Sequence, residues 1–164
     1  MELLKLMEER YSVRKYLAKP VEEEKKAAIL EAARLAPSAK NNQPIKIKVV
    51  TGDELAKLSN SANAYGAPLV FIVCADKDTA WERQFDGKQS TDIDASIVTD
   101  HMMLESASLG LGSVWICWFD PEKLRSDFNI PDNLVPVNIL AVGYTDGDGN
   151  RRPKTRKSLE DILL

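Results

Sequence analysis

Thr91 to Leu109 is the stretch that most restricts what this chain can become. Its apolar residues, Ile93, Ala95, Ile97, Val98, Met102, Met103, Leu104 and Ala107, recur at helical spacing but fall on most faces of the helix they define. A helix apolar nearly all round cannot sit on a wet surface. It belongs at the centre of a fold or between two subunits. Acidic residues interrupt it, and nowhere does the chain reach the roughly 18 unbroken apolar residues of a membrane span. Gly110-Leu111-Gly112 closes it.

The remaining elements must pack around this helix. Residues 2–10 read as a short amphipathic helix with Leu3, Leu4, Leu6 and Met7 on one side. Lys19-Pro20 breaks the chain. Glu22 to Leu35 then reads as a helix with acids at its start, an apolar stripe through Ile29, Leu30, Ala33 and Leu35, and Pro37 as its stop. Ile45 to Thr51 alternates as a strand, and Asp53 to about Ala62 is a weaker helix with Asp53 as N-cap. Leu69 to Ala75 is an unbroken apolar run, hence a buried strand. After the long helix come a strand at 113–117, a short helix at 121–128 behind Asp120, a strand at 135–144 and a basic loop at 145–157. Strands and helices mix without regular βαβ alternation, and the first strand follows two helices, so the fold class is α+β. A length of 164 residues, with no repeat and no linker, suits one domain spanning 1–164.

Composition removes several function classes. A net charge of −3 argues against nucleic acid or an anionic membrane as partner, while permitting a local basic pocket for one phosphate. The two cysteines, Cys74 and Cys117, and the single His101 make no zinc site, and Asp94, Asp100 and Glu105 form no metal motif. Cys74 reads as core filler within its apolar run. His101, inside the long helix, reads as a packed or interface histidine, which leaves no hydrolase triad. The N-terminus carries no apolar signal region, and a reducing cytoplasm is the simplest location.

Four constellations remain. In Arg10-Tyr11-Ser12-Val13-Arg14, a helical turn would put both guanidiniums on one side with a hydroxyl between them, a set suited to phosphate. The plain alternative is a solvated basic helix end. Ala36-Pro37-Ser38-Ala39-Lys40-Asn41-Asn42-Gln43-Pro44 packs amides and a hydroxyl between prolines. Such a set can read the edge of a flat heterocycle, or can simply be a turn. Gly110 to Trp118 gives small residues followed by two tryptophans, either a close backbone approach or a helix end leading into a core strand. It is neither a dinucleotide fingerprint nor a P-loop. Arg151-Arg152-Pro153-Lys154-Thr155-Arg156-Lys157 is a solvated tail unless it folds back. In that case Lys154 and Arg156 point the same way and close a phosphate site with Arg10 and Arg14.

Together these motifs resemble the nitroreductase family of FMN-dependent enzymes, in order and spacing, from Arg10 to about Leu159. The matching residues are Arg10, Ser12 and Arg14; Pro37, Ser38, Asn41, Gln43 and Pro44; Gly110 to Ile116; and Lys154 and Arg156. The resemblance implies a nitroreductase-like fold: a central mixed, mostly antiparallel sheet flanked by helices, with the long helix at a dimer interface. It implies a homodimer with FMN at the seam. Arg10, Ser12 and Arg156, helped by Lys154, would clamp the phosphate, and Arg14 would lie at the pyrimidine edge. Tyr11 and Pro37 belong to the same cofactor-binding set. Ser38 and Asn41 would reach the flavin from the partner, and Gln43 belongs to the same cofactor-binding set. Trp115 and Ile116 would lie along one ring face, with the Cys117 N–H near N5. Asn60 and Asn63 are equal candidates for a further ring contact. The chain departs from the family at Ile45, where tryptophan is common, and at Trp118, where a smaller residue is common and the indole crowds the substrate side.

The implied activity is ping-pong hydride transfer from NAD(P)H through FMN to a small electron-poor acceptor of nitroaromatic or quinone type, with the flavin rather than a side chain carrying the chemistry. The alternative is a flavin-binding carrier or sensor without efficient turnover. The long lids of more specialised relatives are not evident, and a plain interaction protein with a basic tail is the reading without flavin.

Overall fold

In the computed structural model, which describes residues 2–147 and 151–164, the elements run α1 (Leu3–Glu9), α2 (Glu23–Leu35), β1 (Ile45–Thr51), α3 (Leu55–Leu58), β2 (Leu69–Asp76), α4 (Thr91–Ser108), β3 (Gly112–Ile116), α5 (Pro121–Phe128) and β4 (Leu134–Gly143). Short 3-10 turns lie at Ala39–Asn41 and Gly52–Glu54. Of the expected loop at 145–157, residues 148–150 lie outside the described residues.

The four strands form one antiparallel sheet in the order β1-β2-β4-β3. Among the described residues its only parallel element is a bridge between Ser12 and Ser113, made by the segment after α1 beside β3. β2 and β4 are interior strands with apolar side chains on both faces, which explains the unbroken run of β2. Strand alternation sorts those side chains into two cores. Phe71, Val73, Leu140 and Val142 pack with α2 and α4, whereas Val70, Ile72, Ile139 and Ala141 pack with Leu58 of α3 and Leu124 of α5. Cys74 fills the second core, where burial pushes its thiol up to about 11 and leaves it inert.

α4 is two-sided. Ala95, Val98, Met102 and Met103 enter the first core. Ile93, 52% exposed, and the half-buried Ile97, His101 and Leu104 form a second stripe along the outside of the protomer. The helix ends in a Schellman motif: Gly110 (φ 75°) donates to Ala107 O and Leu111 to Ser106 O. α5 starts as expected, with the Asp120 carboxylate accepting the N–H groups of Glu122 and Lys123.

Two elements differ from expectation. Only Leu6 of α1 is buried, while Leu3 and Leu4 are 58% and 74% exposed. A seven-residue helix touching the fold along one line can bury only what lies on that line. The helix expected over 53–62 shrinks to α3, with Asp53 inside the preceding 3-10 turn and capping nothing. The polar run Ser59-Asn60-Ser61 bonds back onto the main chain through Ser59 and Ser61 instead of continuing the helix.

Candidate functional site

Arg10 ends α1 in an extended conformation (φ −62°, ψ 145°), so Arg10 and Arg14 do not share a helical turn. The segment leaves α1 and pairs with β3, Val13 N–H donating to Ser113 O at 2.9 Å. Extended chain repeats every two residues, which places Arg10, Ser12 and Arg14 together on one side. Val13, on the opposite side, is buried against Gly112. A Cβ on Gly112 would stand 2.6 Å from Val13 Cγ2, so glycine is required there by contact. Arg14 is steadied by donating to Ser12 O at 3.2 Å.

The C-terminal tail does fold back. The Arg151 guanidinium stacks on the Tyr11 ring at 5.0 Å, and the Lys154 ammonium donates to the carbonyls of Met7, Glu8 (3.0 Å) and Arg10 (3.1 Å). Three acceptors use all three of its protons. Lys154 therefore closes the carbonyl end of α1, as a cation there should, and retains no donor for a phosphate. Burial lowers the Lys154 pKa, the charges of Arg10, Arg156 and Arg151 lower it further, and Glu8 opposes them. Among the described residues, Arg10, Arg14 and Arg156 form no ion pair with a carboxylate. Beside Arg10, Tyr11, Gly112 and Ser113 a cleft of about 220 Å³ opens, lined also by Thr145, whose buried hydroxyl has no partner among the described residues. Unneutralised guanidiniums with spare hydroxyls fit a dianionic phosphoryl group.

The second constellation forms a tight loop. Lys40, Asn41 and Gln43 adopt positive φ (51°, 56° and 50°), uncommon for residues with a side chain. Ser38 Oγ accepts the Gln43 N–H at 2.9 Å, Asn42 donates to Thr79 O at 3.0 Å, and Asp94 accepts the Ala39 N–H at 2.9 Å. Asn41 and Gln43 face solvent; Pro37 is exposed at the loop's start.

The third separates residues expected together. Trp115 and Ile116 are neighbours in β3, so their side chains leave opposite faces of the sheet. Trp115 packs beside the first core with its indole N–H donating to Asn138 Oδ1 at 2.8 Å, while Ile116 is buried in the second. Their side chains therefore enter different cores. Cys117, just past the strand, is exposed, and its thiol lies 3.8 Å from the same Asn138 oxygen. Asn138 is 3% exposed and donates to Thr99 Oγ1 at 3.2 Å, linking β3, β4 and α4. A lone amide inside the apolar run of β4 was the signal for it.

Of the two asparagine candidates, Asn60 donates to Asp127 and the Asn63 oxygen accepts the Tyr65 N–H. Both line a cleft of about 410 Å³ with Phe119, Asp120 and Trp118, whose indole is 89% exposed. His101 bonds through Nδ1 to Ile97 O at 3.0 Å, the packed role expected. Among the described residues no group of acidic, histidine or cysteine side chains is placed to hold a metal, and no helix is long and apolar enough to cross a membrane.

Residues 7–65 and 55–144 match the pattern of the Nitroreductase family. An Archaeoglobus fulgidus protein bearing the name NADH dehydrogenase/NAD(P)H nitroreductase is 34% identical over 155 residues, 87% of this chain and 85% of that one. A solved nitroreductase family protein from Clostridium difficile is 49% identical and superposes with a TM-score of 0.93, covering 100% of this chain and 98% of that one. A Desulfovibrio desulfuricans protein solved in complex with FMN is 25% identical with a TM-score of 0.84, covering 100% and 96%.

Proposed function

This chain belongs to the nitroreductase family, and from that premise we propose that, as a homodimer, it passes hydride from NAD(P)H to a small electron-poor acceptor of nitroaromatic or quinone type by a ping-pong mechanism. It is an NAD(P)H-dependent oxidoreductase with FMN as cofactor. The observation that carries the reading is the docking of the basic tail on the segment that carries Arg10 and Ser12, with Arg151 on Tyr11 and Lys154 on the last carbonyls of α1.

When bound, FMN supplies the centre that accepts and donates hydride. Arg10, Ser12 and Arg156 bind its phosphoryl group, the planar guanidiniums offering paired donors to paired oxygens. Lys154 positions them by locking the tail to α1. Arg14 would serve the pyrimidine edge, where a fixed positive charge would favour the electron-rich ring. Asn138 holds Trp115 and Cys117 in place at the end of β3. From the other protomer comes the loop carrying Ser38, Asn41 and Gln43, brought across by pairing of the outer α4 stripe. Trp118 and the cleft it shares with Asn60 and Asn63 bound the acceptor side. No side chain is assigned as acid or base. The whole chain acts as one domain, and its two unpaired thiols suit a cytoplasmic location.

Purified protein should be yellow, bleach on anaerobic addition of NADH or NADPH, and oxidise either when a nitroaromatic or quinone is added. Parallel lines in double-reciprocal plots would support the ping-pong order, and intersecting lines would overturn it. A colourless protein that takes up no added FMN would remove the proposal altogether, and bleaching slower than minutes would point to a carrier or sensor.

A further inference from the structure

Asp94 lies in the first turn of α4 and is 0% exposed. A buried carboxylate must be satisfied, and this one has two donors: the Ala39 N–H at 2.9 Å and the Ser90 hydroxyl at 2.7 Å. Among the described residues no cation pairs with it. Ser90 is the N-cap residue of α4, from which a serine oxygen ordinarily accepts an N–H of the first turn. Here it makes no such cap bond, and its hydroxyl is turned to donate to Asp94 instead. The helix forgoes its own cap, and Ser90 orients a carboxylate toward the 38–43 loop.

That loop needs an external tie. Its three positive-φ residues hold a conformation that persists only when the surroundings over-determine it. The Ser38–Gln43 and Gln43–Asn41 bonds join the loop to itself, and the Asn42–Thr79 bond is exposed. The Asp94–Ala39 bond is the one that joins it to a buried group of α4.

We propose that Asp94, oriented by Ser90, is a positioning residue for the cofactor: it fixes Ala39 and thereby the presentation of Ser38 and Asn41 to the flavin of the partner protomer. This rests on the FMN reading above. Since α4 also carries the stripe assigned to the seam, the loop is referenced directly to the interface it must cross.

The test compares Asp94→Asn with Asp94→Leu. Asparagine keeps an oxygen for the Ala39 N–H and offers its amide to Ser90, whose hydroxyl accepts as readily as it donates. Leucine keeps the bulk and loses the acceptor. Three readouts apply: FMN affinity from released-flavin fluorescence, visible circular dichroism of bound flavin, and hydrogen-exchange protection of the Ala39 amide in apoprotein. Asp94→Leu should weaken FMN binding roughly tenfold, alter the dichroism and lose Ala39 protection, while Asp94→Asn stays near wild type in all three. Val50→Ala, in the core on the other sheet face, should lower the melting temperature and leave these readouts unchanged. Wild-type affinity and Ala39 protection in a folded Asp94→Leu would overturn the proposal, as would an affinity loss no larger than that of Val50→Ala. If the leucine variant does not fold, Ser90→Ala decides: reduced Ala39 protection with weaker FMN supports the role, and no change in either refutes it. Wild-type protein that binds no FMN would sink the functional reading itself, and with it this assignment, even if the Ala39 tie proved real.

Discussion

Removing one guanidinium from the proposed phosphoryl clamp would delete charge-assisted hydrogen bonds worth about 1.5–3 kcal/mol each. Arg156→Ala should therefore weaken FMN binding roughly ten- to a hundredfold in a fluorescence titration. The apoprotein's melting temperature should barely move, because among the described residues the side chain bonds only to its neighbour, Thr155 O. Glu22 makes a separate prediction. The Tyr144 hydroxyl donates to its carboxylate at 2.6 Å and, with a main-chain bond and Lys19, holds it at about 2, below the ordinary 4.5. A carboxyl depressed on folding contributes stability that is complete above pH 4.5 and lost as pH falls toward 2. Tyr144→Phe should flatten that part of the stability–pH profile in denaturant titrations; an unchanged profile would refute the assignment. The spacing of the arginines and Ser12 was legible but its helical reading was not, because the chain leaves α1 extended at Arg10 and pairs with β3. Asn138 was legible only as a lone amide in an apolar run, because its partners Trp115 and Thr99 are distant along the chain.

At the scale of elements, the packing of the Arg10–Arg14 segment on β3 depends on Gly112. Gly112→Ala would drive a methyl into Val13, 2.6 Å away, and should cost about 1–3 kcal/mol in urea unfolding. It should also loosen FMN, since the segment it displaces carries Arg10 and Ser12. The strands, α2, α4 and α5 were legible within a residue or two because alternation, helical spacing and the Asp120 cap are local signals. α3 was over-read because side chain–main chain bonding by Ser59 and Ser61 competes with helix in a way that composition does not reveal. Tail and α1 were legible as basic and amphipathic, but not that Lys154 would spend its protons on α1 carbonyls.

For the whole molecule, the outer stripe of α4 is the feature a single protomer leaves unexplained. Ile97 stands in its middle, half-buried between Ile93 and His101. A charge there would be desolvated by a partner helix, so Ile97→Asp should shift the protein toward monomer in sedimentation velocity and release FMN, while far-UV circular dichroism keeps its shape. A dimeric, yellow Ile97→Asp protein would show that the seam lies elsewhere.

The order of residues alone determined the fold class, the elements other than the extent of α3, and the family, and it named the groups proposed for a phosphate, since each follows from short-range periodicity or from the kind of side chain present. Tertiary structure decided which of those groups remain free to act. It split Trp115 from Ile116 across the sheet, spent Lys154 on a helix end, and aimed the Asp94 carboxylate at a loop 55 positions away. Those outcomes depend on hydrogen-bond partners that only a closed chain brings within reach, and no local pattern encodes them.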